Sequence, residues 1–197
     1  MATQEDDLSK KIKLLVDIYN SGDMNSVVLM ANDLIKEVQS ATVYNILALS
    51  HKNLGNYSKA REIYESLLVN NPENALFLGN LGNIYNDLGF IDKAEACYKK
   101  SLLHNANNFN VSISLTNVLR AKMKLDEALD ILKGLLSSKE NFSNELINDL
   151  NFRIAEIYRN KGDEYCDSAI KYYQLSKTPL SDAQRLELIY RLKDKNE

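Results

Sequence analysis

The chain repeats itself every 34 residues. Ala60, Ala94 and Ala128 stand 34 apart, as do Tyr64, Tyr98 and Leu132, then Leu47, Leu81 and Leu115, then Tyr57, Ile91 and Leu125. The small-residue series Ala48, Gly82, Thr116 and the turn series Gly55, Gly89, Met123 keep the same step. A fixed period of this length, filled with helical spacing, calls for stacked repeats rather than one globular core. Chains built this way usually bind other proteins and rarely catalyse.

Each period carries the physics of a helix hairpin. Val43, Ile46, Leu47 and Ser50 recur at helical spacing, Gly55 breaks the helix, and a second helix carries Ile63, Tyr64, Leu67 and Leu68 before Pro72 stops it. Small residues at Ala48 and Gly82 on the first helices, and at Ala60 and Ala94 on the second, let the two backbones approach closely. Tyr64, Tyr98, Leu54 and Leu88 fill the space between turns. One hairpin cannot cover its own apolar face, so each needs a neighbour.

These residues resemble the tetratricopeptide repeat. That family pattern has a large apolar residue at position 4, Leu at 7, a small residue at 8, Tyr at 11, Gly at 15, Ala at 20, an aromatic at 24 and Pro at 32. Residues 75–108 place Leu78, Leu81, Gly82, Tyr85, Gly89, Ala94 and Tyr98 in those slots, with Ala106 replacing the proline. Residues 41–74 resemble the same pattern, with His51 in the Tyr slot. In 109–142 the slots hold Leu115, Thr116, Leu119, Met123, Ala128 and Leu132, and in 8–40 they hold Leu14, Leu15, Ile18, Gly22, Val27, Ala31 and Leu34.

A fifth unit over 143–177 places Ile154, Ala155, Tyr158 and Gly162 on its first helix, with Ala169 and Tyr173 two residues later than the phase predicts. That offset predicts a two-residue insertion in the turn around Asp163 to Asp167, and Ser143 is expected to cap the first helix. Residues 178–197 form a final amphipathic stretch, where Ser181 and Gln184 have capping-box spacing. The resemblance implies an all-α, right-handed superhelical solenoid of five hairpins plus a C-terminal capping helix, eleven helices in all.

Composition closes other routes. Repeats and cap use almost all of the 197 residues and leave no room for a separate catalytic domain. A net charge of −3 gives no reason to expect nucleic acid. Two cysteines, no signal peptide and no apolar run of transmembrane length predict a cytoplasmic chain with no membrane contact. Cys97, Cys166, His51 and His104 lack metal-ligand spacing, so no metal and no cofactor are expected. His51 takes the aromatic packing slot that Tyr85 fills one repeat later and reads as a packed structural residue. Gly79, Gly82 and Gly89 fit no phosphate-loop fingerprint.

What remains is the concave groove. The family resemblance implies that positions 2, 5, 9, 12 and 13 of the first helices face a bound peptide. Here that surface is amide-rich, through Asn45, Asn83, Asn86 and Asn117, with Asn80 one position off the row where the family often places a backbone-clamping asparagine. Amides both donate and accept, so they can pair with an extended backbone without reading its sequence. A merely solvated polar face is the plain alternative. Lys52, Asn86, Arg120 and Arg159 would form a ridge along position 12, explained either by the helix dipole or by attraction of an acidic peptide. The family's two-carboxylate clamp is expected to be absent, since Gly79, Ser114 and Asp149 occupy slots it needs.

The expected function is therefore a non-enzymatic scaffold that binds a protein or peptide segment. Two other classes stay open. One is an accessory repeat module of a bacterial sulfotransferase, glycosyltransferase or oxygenase, which the opening Leu14, Leu15, Tyr19 and Gly22 resemble. The other is a self-assembling structural protein, paired through Leu188 and Leu192 on the cap helix.

Overall fold

The computed structural model describes residues 2–138 and 142–177, with 179–181, 184, 187 and 191 toward the C-terminus. Among the described residues there are ten α-helices and no strand. They run α1 (Ala2–Ser21), α2 (Met24–Glu37), α3 (Ala41–Asn53), α4 (Tyr57–Asn70), α5 (Ala75–Asp87), α6 (Ile91–His104), α7 (Phe109–Ala121), α8 (Leu125–Ser137), α9 (Asn144–Lys161) and α10 (Cys166–Ser176). Consecutive helices pair as hairpins. The chain divides into two compact units, residues 1–108 carrying α1 to α6 and residues 109–197 carrying α7 to α10.

The hairpin turns repeat one device. At the end of α5, Gly89 N–H donates to the Asn86 carbonyl at 3.0 Å and Phe90 N–H to the Tyr85 carbonyl at 2.8 Å, with Gly89 at φ +78°. This paired closure satisfies two carbonyls left over at the helix end, and it needs a left-handed residue. The turn after α3 repeats it through Gly55 and Asn56. The turn after α7 also repeats it, through Met123 and Lys124, although Met123 must then hold φ +57° with a side chain attached.

Helix starts follow their capping residues. Asp23, Asn74 and Ser143 accept from the main-chain N–H groups of Ser26, Phe77 and Leu146 at 3.1, 3.1 and 3.3 Å. The expected Ser143 cap opens α9, which runs for 18 residues. The insertion between α9 and α10 forms a 3-10 turn at Asp163–Tyr165. In the first unit α1 begins at Ala2 rather than Leu8.

The cores follow the 34-residue step. In the first unit Ala48, Ala60 and Ala94 are fully buried, and Tyr64 and Tyr98 lie inside with them. In the second unit Ala128, Leu132, Ala155, Ala169 and Tyr173 take the corresponding places. Of the last amphipathic stretch, Ser181 and Gln184 form the reciprocal capping box, Gln184 N–H donating to Ser181 Oγ at 3.3 Å and Ser181 N–H to Gln184 Oε1 at 3.0 Å. Leu188 and Leu192 lie outside the described residues.

Candidate peptide groove

In the first unit, α3 and α5 present Asn45, Lys52, Asn80, Asn83 and Asn86. Three of these side chains are built into hydrogen bonds that reach from buried tyrosines. Tyr64 sits fully buried at the aromatic slot of α4 and donates to Asn45 Oδ1 at 2.8 Å. The same hydroxyl accepts from Asn80 Nδ2 at 3.0 Å, and Asn80 Nδ2 also donates to Asn45 Oδ1 at 3.2 Å. The triangle joins two successive first helices through the second helix between them. Burial raises the pKa of Tyr64, so the phenol stays protonated and its donor role is fixed.

The triangle sets which amide atoms are left over. Asn45 uses its carbonyl oxygen, leaving its NH2 group. Asn80 uses its NH2 group, leaving its carbonyl oxygen. Both side chains are half-buried. A donor and an acceptor on adjacent first helices are what the N–H and C=O groups of an extended backbone require.

One repeat later the arrangement changes because the side chains do. Gly79 stands at the position of Asn45, and Tyr98 donates instead to Asn83 Oδ1 at 2.8 Å, one helical turn further along α5. Asn86 is exposed. Lys52 lies 3.5 Å from Asp87, each about a third exposed, so its charge is partly balanced within the unit.

The second unit has its own polar row on α7 and α9. Arg153 reaches Asn117 Oδ1 at 3.3 Å from Nη1 and holds Asp149 at 2.7 Å through Nε. Arg159 is bound by Glu156 at 2.8 Å and Glu187 at 2.6 Å. Burial opposes the charge on Arg159, but these carboxylates outweigh it and raise its pKa, while Arg159 holds Glu187 below the usual carboxylate range. Tyr173 donates to Glu156, the counterpart at position 9 of the Tyr98 bond to Asn83. Arg120 is half-buried, and its Nε has no hydrogen-bond partner among the described residues. The position-12 residues therefore differ: Lys52 and Arg159 carry counter-ions, Asn86 is uncharged, and Arg120 has none among the described residues.

Sequence reasoning named the asparagines and missed the tyrosines that orient them. The signal was present, since an aromatic slot holding Tyr rather than Phe places a hydroxyl that must find a partner when buried. Among the described residues no group of three His, Cys, Asp or Glu side chains comes together as a metal site. Burial, ahead of the charges of neighbouring lysines that oppose it, pushes the Cys97 thiol up, which suits a packing residue rather than a nucleophile. No described helix is long and apolar enough to cross a membrane.

Comparison with known proteins agrees with this fold. The tetratricopeptide repeat model matches residues 41–74 and 75–108. No curated protein matches the chain in sequence. Among solved structures, a crystal structure of MamA is 15% identical, covers 91% of this chain and 95% of its own, and superposes with a TM-score of 0.69. TTC0263, described as a thermophilic TPR protein in Thermus thermophilus, is 20% identical with coverages of 94% and 98% and a TM-score of 0.63. A tetratricopeptide repeat protein from Parabacteroides merdae is 19% identical, with coverages of 84% and 62% and a TM-score of 0.66. At these identities the likeness carries the fold alone. Residues 41–108 are thus two tetratricopeptide repeats, set in an all-α solenoid of the tetratricopeptide type.

Proposed function

We propose that this protein is a non-enzymatic interaction scaffold that holds an extended segment of a partner protein along the first helices of its repeats. The observation that supports the reading is the Tyr64 triangle. It locks Asn45 and Asn80 so that one amide offers a donor and the other an acceptor, side by side on α3 and α5. Such a pair grips main chain without selecting side chains, and selectivity then falls to exposed Asn86 and to the Lys52–Asp87 pair.

The test is a peptide-display selection on the full chain followed by one substitution. Asn45→Asp keeps an oxygen for Tyr64 and Asn80 yet removes the free NH2 donor. It is expected to leave the thermal midpoint near the parent value while weakening selected peptides by about fivefold, the worth of one hydrogen bond of about 1 kcal/mol. Selected peptides that ignore Asn45→Asp, Asn86→Ala and Lys52→Ala alike would remove the groove as the binding surface.

A further inference from the structure

A different face of α3 lines a cleft of about 560 Å³ between α2 and α4, with Ile35, Leu47 and Ile63 among its apolar walls and Asn32, His51 and Lys59 among its polar ones. His51 is 8% exposed, and its Nδ1 is buried with no hydrogen-bond partner among the described residues. A buried ring nitrogen without a partner is costly, and native structures rarely leave one unanswered.

The next repeat shows what this space is shaped for. Thirty-four residues on from His51 stands Tyr85, whose buried ring occupies the corresponding place between α4 and α6. Its hydroxyl donates to Glu65 Oε1 on α4 at 2.7 Å, and Lys93 Nζ lies 5.3 Å from the ring centroids of Tyr85 and Phe90. Each of these partners has a counterpart one repeat earlier, and of these Lys59 and Asn32 line the cleft. Lys59 is 34 residues before Lys93, and Asn56 is 34 before Phe90. Asn32 holds on α2 the place of Glu65 on α4, since Val27, Ala31 and Leu34 align with Ala60, Tyr64 and Leu67. The cation and the hydrogen-bonding residue are thus kept, while both rings are replaced, by His51 and Asn56.

We propose that the cleft is a second binding site, which receives a tyrosine side chain projecting from a partner protein. The ring lies against Ile35, Leu47 and Ile63 beneath Lys59, and its hydroxyl meets Asn32. A cation over an aromatic face and a hydrogen-bonding floor favour a phenol over an aliphatic group. The rim carries Gln39, Asn70 and Asn71, amides that can pair with the main chain on either side of the inserted residue, which favours a protein segment over a free phenol. A cleft of this volume takes an aromatic side chain together with its flanking backbone. This site stands apart from the asparagine groove and does not depend on it.

The experiment follows the methyl resonances of Ile35, Leu47 and Ile63 in the full chain. N-acetyl-tyrosinamide should shift them saturably, and N-acetyl-leucinamide should bind at least about fivefold more weakly. The pentapeptide Ala-Ala-Tyr-Ala-Ala, blocked at both ends, should bind several-fold tighter than the single-residue probe. His51→Tyr should fill the cleft from within, raise the thermal midpoint by about 2–4 °C and abolish the shifts. Lys59→Ala, an exposed change, should weaken the probe about two- to fivefold and leave the midpoint unchanged. No saturable shift, equal binding of the leucine probe, or shifts that persist in His51→Tyr would each overturn the site. A pentapeptide no tighter than the single residue would assign the cleft to a free phenolic molecule and overturn the protein partner.

Discussion

Gly82 and Tyr98 touch so closely that a methyl group added to Gly82 would sit 2.6 Å from Tyr98 Cε1. The tyrosine cannot swing aside, because its ring is almost fully buried and its hydroxyl is tied to Asn83. Gly82→Ala is therefore expected to cost about 1–3 kcal/mol by overpacking, and Gly82→Leu more. Asn86→Leu, on the exposed side of the same helix, should change stability by less than about 0.5 kcal/mol. Urea unfolding of the variants checks the contrast, and equal losses at the two positions would mean that the helix contact does not run through Gly82.

Met123 supplies a second test, this time through the backbone. It closes the α7 turn at φ +57°, where Gly55 and Gly89 close theirs at +76° and +78°, and it is mostly exposed. A side chain in the left-handed region costs roughly 1–2 kcal/mol, and glycine returns part of that as unfolded-chain entropy. Met123→Gly should therefore stabilise the second unit by about 0.5–1 kcal/mol, read from the urea midpoint. Loss of stability would mean that the thioether packs in a way that outweighs the strain.

The period made the hairpins legible because each slot in the repeat has one steric requirement. Gly82 and Ala94 had to be small wherever backbones meet, and Gly55 and Gly89 had to turn left-handed. The polar site was only half legible. Asn45 and Asn80 could be placed on first helices by counting, but the direction of each amide depends on Tyr64, which reaches them from α4 over distances of 19 and 16 residues in sequence. Arg159 looked like one of a ridge of cations, and its partner Glu187 lies 28 residues away in a stretch whose packing no local pattern announces. His51 was legible as packed, but that its Nδ1 finds no partner among the described residues shows only in the folded structure.

Acidification offers a test of His51 in its resting state. Burial first, and the nearby charge of Lys59 second, lower its pKa below the ordinary 6.5. Below that value the unfolded chain binds the proton more readily than the folded one. The stability contributed by neutral His51 is thus fully present above about pH 6.5 and is lost as the pH falls toward the folded pKa. Chemical unfolding between pH 7.5 and 5.5 should show the parent losing more stability than His51→Gln. Parallel curves would mean that His51 titrates alike in both states.

The carboxylate pair around Arg159 predicts a coupling between two substitutions in the second unit. Glu156 is only 13% exposed, accepts from Tyr173 and Gln184, and has Arg159 as its counter-ion at 2.8 Å. Arg159→Met leaves that carboxylate charged and largely buried, which is expected to cost about 1–3 kcal/mol after allowance for partial exposure of the pair. Glu187 suffers less, because Arg191 still holds it at 2.6 Å. Adding Glu156→Gln removes the stranded charge while keeping an acceptor for Tyr173, so the double variant should recover at least half of the loss. A double-mutant cycle by urea unfolding measures this directly. Additive losses would show that Glu156 is solvated well enough to need no partner, and that Arg159 acts on folding through its own packing instead.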